Sequence, residues 1–533
     1  MSSFIYSPLA GENSVAPRGL PRIILLLFWI LLVGWFLSDH VFWRDEVRAL
    51  TLALSGENLA EMLRNVHGEG HPALWYILLR AAHEIAPYRE VLPVVAALVG
   101  LAAMGLFALY SPFRLPIIGI VMFSYYGAFE YVVVARNYGI AVLVMFLIAA
   151  LYDRIKNSIW LGLLIALLAN TNVPSCILAG SFLLYRFVEL CRDKSAGQSD
   201  WARFLINSVI AAIAAWLCFI TVYPPFNDGA VSSNLDTLSI ATFGKALLDT
   251  DYGFHTGTLS SLVLNIMIFA SCLVFARNLP ALVAAITAFV VLKLFYYIVY
   301  PSDYRHEMLF PIFLLSLHWI VIKTNGETFT DRRWVKGIAL LGAWTLVNLL
   351  IAQTVRLTFP IEARLKGIPY TRSADVAEML EQPNLRGAVL MGDPDTVLDA
   401  FNYYVDNPVW MMREGRFGEF SRLIKNSRRE MTLDDVLTDV QQLHRSTGRP
   451  VVFLSTLNVE RRNDYRFRSF FSNYLTVTPD SKARFKASMG LAARLRPALS
   501  GEAYDVYVYP ASLAPKRAVF GLDADRENRG IQK

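Results

Sequence analysis

At 533 residues, with 55% hydrophobic residues, 18% charged residues and a mean hydropathy of +0.40, the chain is too apolar for a soluble enzyme, and its apolar residues come in blocks. The net charge of +6 is modest. The basic residues fall in short loops between apolar runs rather than in a stripe with interleaved aromatics, so they read as topology signals and exclude a nucleic-acid surface. The four cysteines, Cys176, Cys191, Cys218 and Cys272, lie in or beside apolar runs with no CxxC spacing, and neither a disulfide framework nor a zinc site is expected.

The first apolar run, residues 22–38, follows Arg18 and Arg22 and has no small-residue cleavage pattern behind it. It reads as a retained anchor that follows a cytoplasmic segment, 1–21. Just beyond it comes Trp43-Arg44-Asp45-Glu46-Val47-Arg48-Ala49, which holds two adjacent carboxylates at the polar edge of the bilayer. Carboxylates are costly in hydrocarbon and persist near it mostly where they have partners or work to do. A solvated helix start is the plainer reading of the same pair. The apolar spacing through Leu54 fits a helix along the membrane surface with Asp45 near its N-terminus, where the helix dipole favours the ionised, proton-accepting form.

Next in the first outer loop, 39–90, is His67-Gly68-Glu69-Gly70-His71-Pro72. Its histidines are four apart, but the glycines and the proline make it a loop, so the helical two-histidine metal geometry is not available. Two readings stay open: a metal held by His67, Glu69 and His71, or a turn that shapes a pocket floor while His71 bonds a neighbour. Residues 72–86 are apolar but short and interrupted by Arg80, His83 and Glu84, which predicts an amphipathic interfacial helix.

Further spans are expected at 91–110, 115–129, 138–152, 159–171, 173–190, 203–223, 259–276, 279–299, 307–323 and 335–354, about eleven in all with the first. Parity tests the interfacial reading. If 72–86 does not cross and the N-terminus is cytoplasmic, Arg114, Arg154, Lys156, Arg192, Lys194, Arg277, Lys323, Arg332, Arg333 and Lys336 all fall on the cytoplasmic side, as the positive-inside rule asks. The same arrangement sends Asp45, Glu46, His67, Glu69, His71, Glu130, Arg136, His255, Asp303, Arg305 and His306 to the outer face.

Two more outer loops carry chemistry. Glu130-Tyr131-Val132-Val133-Val134-Ala135-Arg136-Asn137-Tyr138-Gly139 is a polar interruption between spans, in which Glu130 and Arg136 either pair with each other or serve a site as second acid and phosphate contact. Tyr300-Pro301-Ser302-Asp303-Tyr304-Arg305-His306-Glu307 offers Arg305 and His306 for a lipid phosphate at the interface, or else Arg305 caps through Asp303 or Glu307. Lys293, about two turns inside the preceding span, can snorkel toward the same place. From 356 to 515 the chain is polar enough for a domain outside the cytoplasm. Apolar β-rich pieces at 388–391, 450–454 and 504–509 alternate with a helical pattern at 433–445, which predicts a small α/β domain, followed by a disordered tail at 516–533.

The order of these elements resembles the GT-C class of membrane glycosyltransferases, in particular the protein O-mannosyltransferase, lipid A aminoarabinose transferase and rhizobial lipopolysaccharide-core transferase families. The resemblance lies in Asp45-Glu46 after the first span, in His71-Pro72-Ala73-Leu74-Trp75-Tyr76, where Ala73 stands for a second proline, in Glu130 with Arg136-Asn137-Tyr138, and in the Arg305 loop. The spacing from Glu130 to Arg136 is longer than in those families. The resemblance covers about residues 20–355 and reaches the C-terminal domain in position only.

The resemblance implies a GT-C fold and inverting transfer of a sugar from a polyprenyl phosphate carrier to a periplasmic acceptor, which is a surface glycan, a lipid or a protein, at the bacterial inner membrane. It casts Asp45, Glu46 and Glu130 as the acidic residues of the reaction. His71, Arg136, Tyr138, Lys293, Arg305 and His306 become substrate contacts. Acidic pairs beside phosphate are able to hold Mg²⁺ or Mn²⁺, and no spacing in the chain decides whether a divalent cation is used. Rival classes are a transporter or flippase of a lipid-linked saccharide, a glycan polymerase or ligase with another membrane fold, and a receptor-like assembly protein. Transporters tend to place charges at the midplane and to show internal repeats, and no repeat is visible here.

Overall fold

The computed structural model describes residues 8–9, 19–224, 243–244, 246, 261–299, 304–324, 332–422, 424–461, 465–470, 473–514 and 519–520. His255, Asp303 and most of the 516–533 tail lie outside the described residues. The chain divides into two compact units: Met1–Ser38, Asn58–Pro224 and Val231–Phe359 form the first, and Asp39–Glu57, Pro225–Ala230 and Pro360–Lys533 the second.

The first unit is helical. Among the described residues, eight helices are long and apolar enough to cross a membrane: Leu20–Leu37, Val91–Tyr110, Tyr138–Ile155, Val173–Arg192, Gln198–Val222, Leu279–Ile298, Arg305–Lys323 and Arg333–Leu365. Large apolar side chains such as Leu31, Leu205 and Trp216 point outward from them. Water would penalise that surface and lipid does not, so this is a multi-pass membrane protein. Two of the remaining expected spans, Ile159–Ala169 and Leu262–Phe275, are apolar but shorter.

The stretch expected as one span at 115–129 is broken. The Leu115–Met122 helix ends, and a π-helical turn follows at Tyr126–Glu130. Ser124 Oγ causes the break: it donates to the Val121 carbonyl at 2.8 Å and accepts from the Gly127 N–H at 3.0 Å, diverting the backbone from the helical pattern. Gly127 is required there, since a Cβ would lie 2.2 Å from the Val121 carbonyl oxygen.

The segment 72–86 forms a helix of 12 residues, Leu74–Ile85, that buries Trp75, Tyr76 and Leu79. That length reaches about 18 Å, well short of a hydrocarbon core of roughly 30 Å. A second observation settles its course. The Arg22 guanidinium, at the start of the first helix, donates to the carbonyls of Ala108 (3.0 Å), Ser111 (2.9 Å) and Phe113 (2.9 Å) at the end of Val91–Tyr110. The two helices are therefore antiparallel, and the intervening chain leaves and returns at the same end of the bundle.

In the second unit a five-stranded sheet runs in the order Val389–Asp393, Val451–Ser455, Tyr504–Tyr509, Gly490–Leu495, Val519–Phe520. Val389 pairs with Val451 in parallel, and Val451 with Tyr509 and Leu495 with Tyr504 antiparallel. The short Val519–Phe520 strand extends the sheet alongside Ala493 and Arg494, so this apolar pair does not follow the expectation of disorder for the tail. Alternate side chains fill two cores: Leu390, Val452, Val506 and Val508 pack with Leu398 and Phe401, while Val389, Met391, Val451 and Phe453 pack with Val436, Val440 and Phe485. Both faces are buried, which is why these strands read as unbroken apolar runs. The Leu433–Thr447 helix begins where Thr432 Oγ1 accepts from the Asp435 N–H at 3.1 Å and ends at Gly448, whose φ of 67° suits glycine.

Candidate functional site

Each unit holds a polar cluster that includes residues marked by the sequence motifs. In the helical unit, His71, Glu130, Arg136, Tyr138, Arg305 and His306 form one connected cluster built from three loops. Glu130 ends the π-helical turn and is wholly buried; its Oε2 accepts from the Tyr125 hydroxyl at 3.0 Å, and its Oε1 lies 3.7 Å from Arg305 Nε. Arg136 Nη2 donates to His71 Nε2 at 2.9 Å, which leaves the ring proton of His71 on Nδ1. Arg136 also sits 5.8 Å from the centre of the Tyr138 ring. Tyr138 packs on His306 and Tyr131, with ring centres 5.7 and 5.5 Å apart, and the Tyr131 hydroxyl donates to the Arg305 carbonyl.

Glu130 thus faces Arg305, and Arg136 faces His71. Lys293 has a different neighbour, donating from Nζ to Asn265 Oδ1 at 3.0 Å. The chain rises out of the cluster as two spans, Tyr138–Ile155 and Arg305–Lys323, both starting there. Lys323 Nζ, at the far end of the second, donates to the Ala150 carbonyl near the far end of the first, so the two helices run parallel and aim their N-terminal dipole ends at the cluster.

The turn at Gly68 and Gly70 needs glycine, with φ of 85° and 79°. His67 Nδ1 donates to the Ile220 carbonyl at 2.9 Å, while His71 turns to Arg136. Among the described residues no group of three or more His, Cys, Asp and Glu side chains could hold a metal ion.

In the second unit the acidic pair opens the Arg44–Ala53 helix and its members differ. Glu46, fully buried, accepts from the backbone N–H of Trp43 at 2.9 Å and from His40 Nε2 at 3.0 and 3.1 Å. It closes the helix N-terminus. The Asp45 side chain keeps 31% of its surface exposed, and its Oδ1 lies 3.4 Å from Arg44 Nε. The same Arg44 Nε is 3.6 Å from Oε1 of Glu502. Burial pushes the Glu502 carboxyl up to about 8, with Arg44 pulling the other way and Asp45 adding to the rise. Burial works against the Arg44 charge, but Glu502 and Asp45 outweigh it and raise that guanidinium above its ordinary value.

The sequence assigns no role to Tyr125, Tyr131, His40, Arg44 or Glu502. Tyr125 stands five residues before Glu130 and could have been suspected as its partner; Glu502 is hundreds of residues from Arg44, and no local signal joins them.

A multi-pass helical unit with a buried Glu–Arg cluster, together with an α/β unit that holds an adjacent pair of carboxylates at a helix start, is the class of protein defined by these observations. No protein-family model matches the chain, and no curated protein matches it. Among solved structures the chain is similar to ArnT from Cupriavidus metallidurans bound to undecaprenyl phosphate, at 12% identity over 93% of this chain and 99% of that one, with a TM-score of 0.47. It is similar as well to ArnT from the same organism in the apo state, at 12% identity, the same coverage and a TM-score of 0.48. Both are distant likenesses.

Proposed function

We propose that the protein is an inverting glycosyltransferase of the GT-C type that moves one sugar from a polyprenyl phosphate carrier to a glycan, lipid or protein acceptor at the periplasmic face of a bacterial inner membrane. The observation that carries this reading is the convergence, at one end of an apolar bundle, of two arginines, Arg136 and Arg305, with the N-terminal ends of two spanning helices. Arginine suits planar, two-pronged contact with phosphate oxygens, and helix N-termini favour anions. A phosphate on a lipid tail enters such a place from the side.

Asp45 is the general base. Its carboxylate takes the proton of the acceptor hydroxyl, the acceptor oxygen bonds to the anomeric carbon, and the bond from that carbon to the phosphate oxygen breaks. The electron pair stays on the departing polyprenyl phosphate, whose charge Arg305 and Arg136 offset. A single displacement of this kind inverts the anomeric carbon. Glu130 orients Arg305, and Glu46 holds the helix that carries Asp45. His71 orders Arg136, while Tyr138 and His306 wall the phosphate position. Lys293, beside Asn265, adds positive charge within the span.

The test is transfer of label from a panel of polyprenyl phosphate sugars into membrane glycans by the protein in nanodiscs. Asp45→Asn is expected to insert normally and lose about 10²- to 10⁴-fold in turnover. Near-normal transfer by Asp45→Asn removes it from the role. If no donor is consumed while a lipid-linked saccharide crosses the bilayer, the flippase reading replaces this one.

A further inference from the structure

The Asp39–Glu57 segment follows the first span in sequence, yet it folds into the same compact unit as Pro360–Lys533. The contacts that bind it are specific. Arg48, one turn after Arg44 on the helix that carries Asp45, donates from Nη1 to Asp399 Oδ2 at 2.7 Å and to the Ser421 carbonyl at 2.7 Å. Asp399 is buried, and its other oxygen accepts from the Ser421 N–H at 2.9 Å, so its carboxylate is fixed before it meets Arg48. The Phe42 N–H donates to the Tyr404 hydroxyl at 2.7 Å, just ahead of the helix. Arg364 Nη2 lies 2.7 Å from Asp39 Oδ2. Arg44 lies between Asp45 and Glu502.

These contacts come from three separated stretches of the C-terminal fold and all land within ten residues of Asp45. A helix of 10 residues is marginal by itself, because nucleation is costly and few backbone bonds repay it. Its orientation depends on what clamps it.

We infer that Asp399 is a positioning residue for Asp45: through Arg48 it fixes the Arg44–Ala53 helix, and the α/β unit serves as the mount for the proposed base. This deepens the transferase reading and rests on Asp45 being its base. A base must be held within a fraction of an ångström of its working position, and a small displacement costs rate without weakening the grip on the donor. Asp399 touches neither donor nor acceptor in this account.

The experiment uses the full chain in nanodiscs and reads backbone hydrogen exchange by mass spectrometry in the unsubstituted protein, Asp399→Asn and Arg48→Gln. Arg48→Gln cuts the same ion pair from the helix side and leaves the α/β core untouched. Loss of one charge-assisted bond is worth about 10- to 100-fold, so both variants are expected to speed exchange in residues 44–53 by that order while the Leu433–Thr447 helix keeps its protection. In the transfer assay kcat is expected to fall by on the order of tenfold with donor KM unchanged.

Unchanged exchange in 44–53 overturns the inference. So does equal loss of protection across Leu433–Thr447, which makes Asp399 a general support of the fold. Because exchange is read without turnover, an active Asp45→Asn protein defeats the assignment of the base, and the exchange data still decide whether Asp399 anchors that helix.

Discussion

The helical unit and the α/β unit bury charge in different company. In the bundle, Glu130, Arg305 and Lys293 are buried at an end of, or within, apolar spans, where a charge is expensive and its persistence points to work. In the α/β unit the buried Arg413 is fully engaged in architecture. Its guanidinium donates to Asp393 Oδ1 at 3.0 and 2.6 Å and to the carbonyls of Arg428 and Arg429 at 2.9 and 3.1 Å, tying the end of the first sheet strand to two other segments. Burial alone therefore does not mark function. What separates the two cases is the setting: Arg413 ties three segments of a sheet domain through Asp393 and two backbone carbonyls, whereas Arg305 stands beside Glu130 at the start of an apolar spanning helix.

Cutting the architectural charge gives the largest effect on stability. Arg413→Ala leaves Asp393 buried without its cation and is expected to cost about 3–5 kcal/mol. Thermal unfolding followed on the α/β unit checks it, and a loss below about 1 kcal/mol erases the contrast with Arg305. Arg305→Lys keeps a positive charge opposite Glu130 but removes the planar fork, so the fold is expected to hold while donor KM rises about 10- to 100-fold. Kinetics at varied donor concentration separate the two parameters, and an unchanged KM withdraws Arg305 from the phosphate. Smallest is Thr432→Ala, which removes the N-cap of the Leu433–Thr447 helix for about 1 kcal/mol. Denaturant midpoints of the α/β unit measure this, with transfer expected to stay at its unsubstituted level.

Asp45 and Glu46 hold a similar lesson at shorter range. Adjacent carboxylates on one helix start look alike in sequence, yet the second is consumed by Trp43 and His40 and the first keeps an exposed face. The capping pattern could have been read from Glu46 at the third helical position. The role of His40 could not, because it depends on how the chain turns between the first span and the helix.

Most of the apolar architecture was written locally. Blocks of Leu, Ile, Val and Phe dictate spans because an unbroken apolar run has no other stable place, and the runs at 388–391, 450–454 and 504–509 dictate strands because β-rich stretches this short and apolar need a sheet buried on both faces. The His71 turn and the Glu130 loop announced themselves as polar breaks in that background. Tertiary structure alone decided that Glu130 meets Arg305 and that Asp45 rides on a helix held to Asp399 and Glu502. Partners 175 or 351 positions apart leave no mark in a local pattern: the free energy of an ion pair depends on distance and desolvation, and both are set only once the chain has closed on itself.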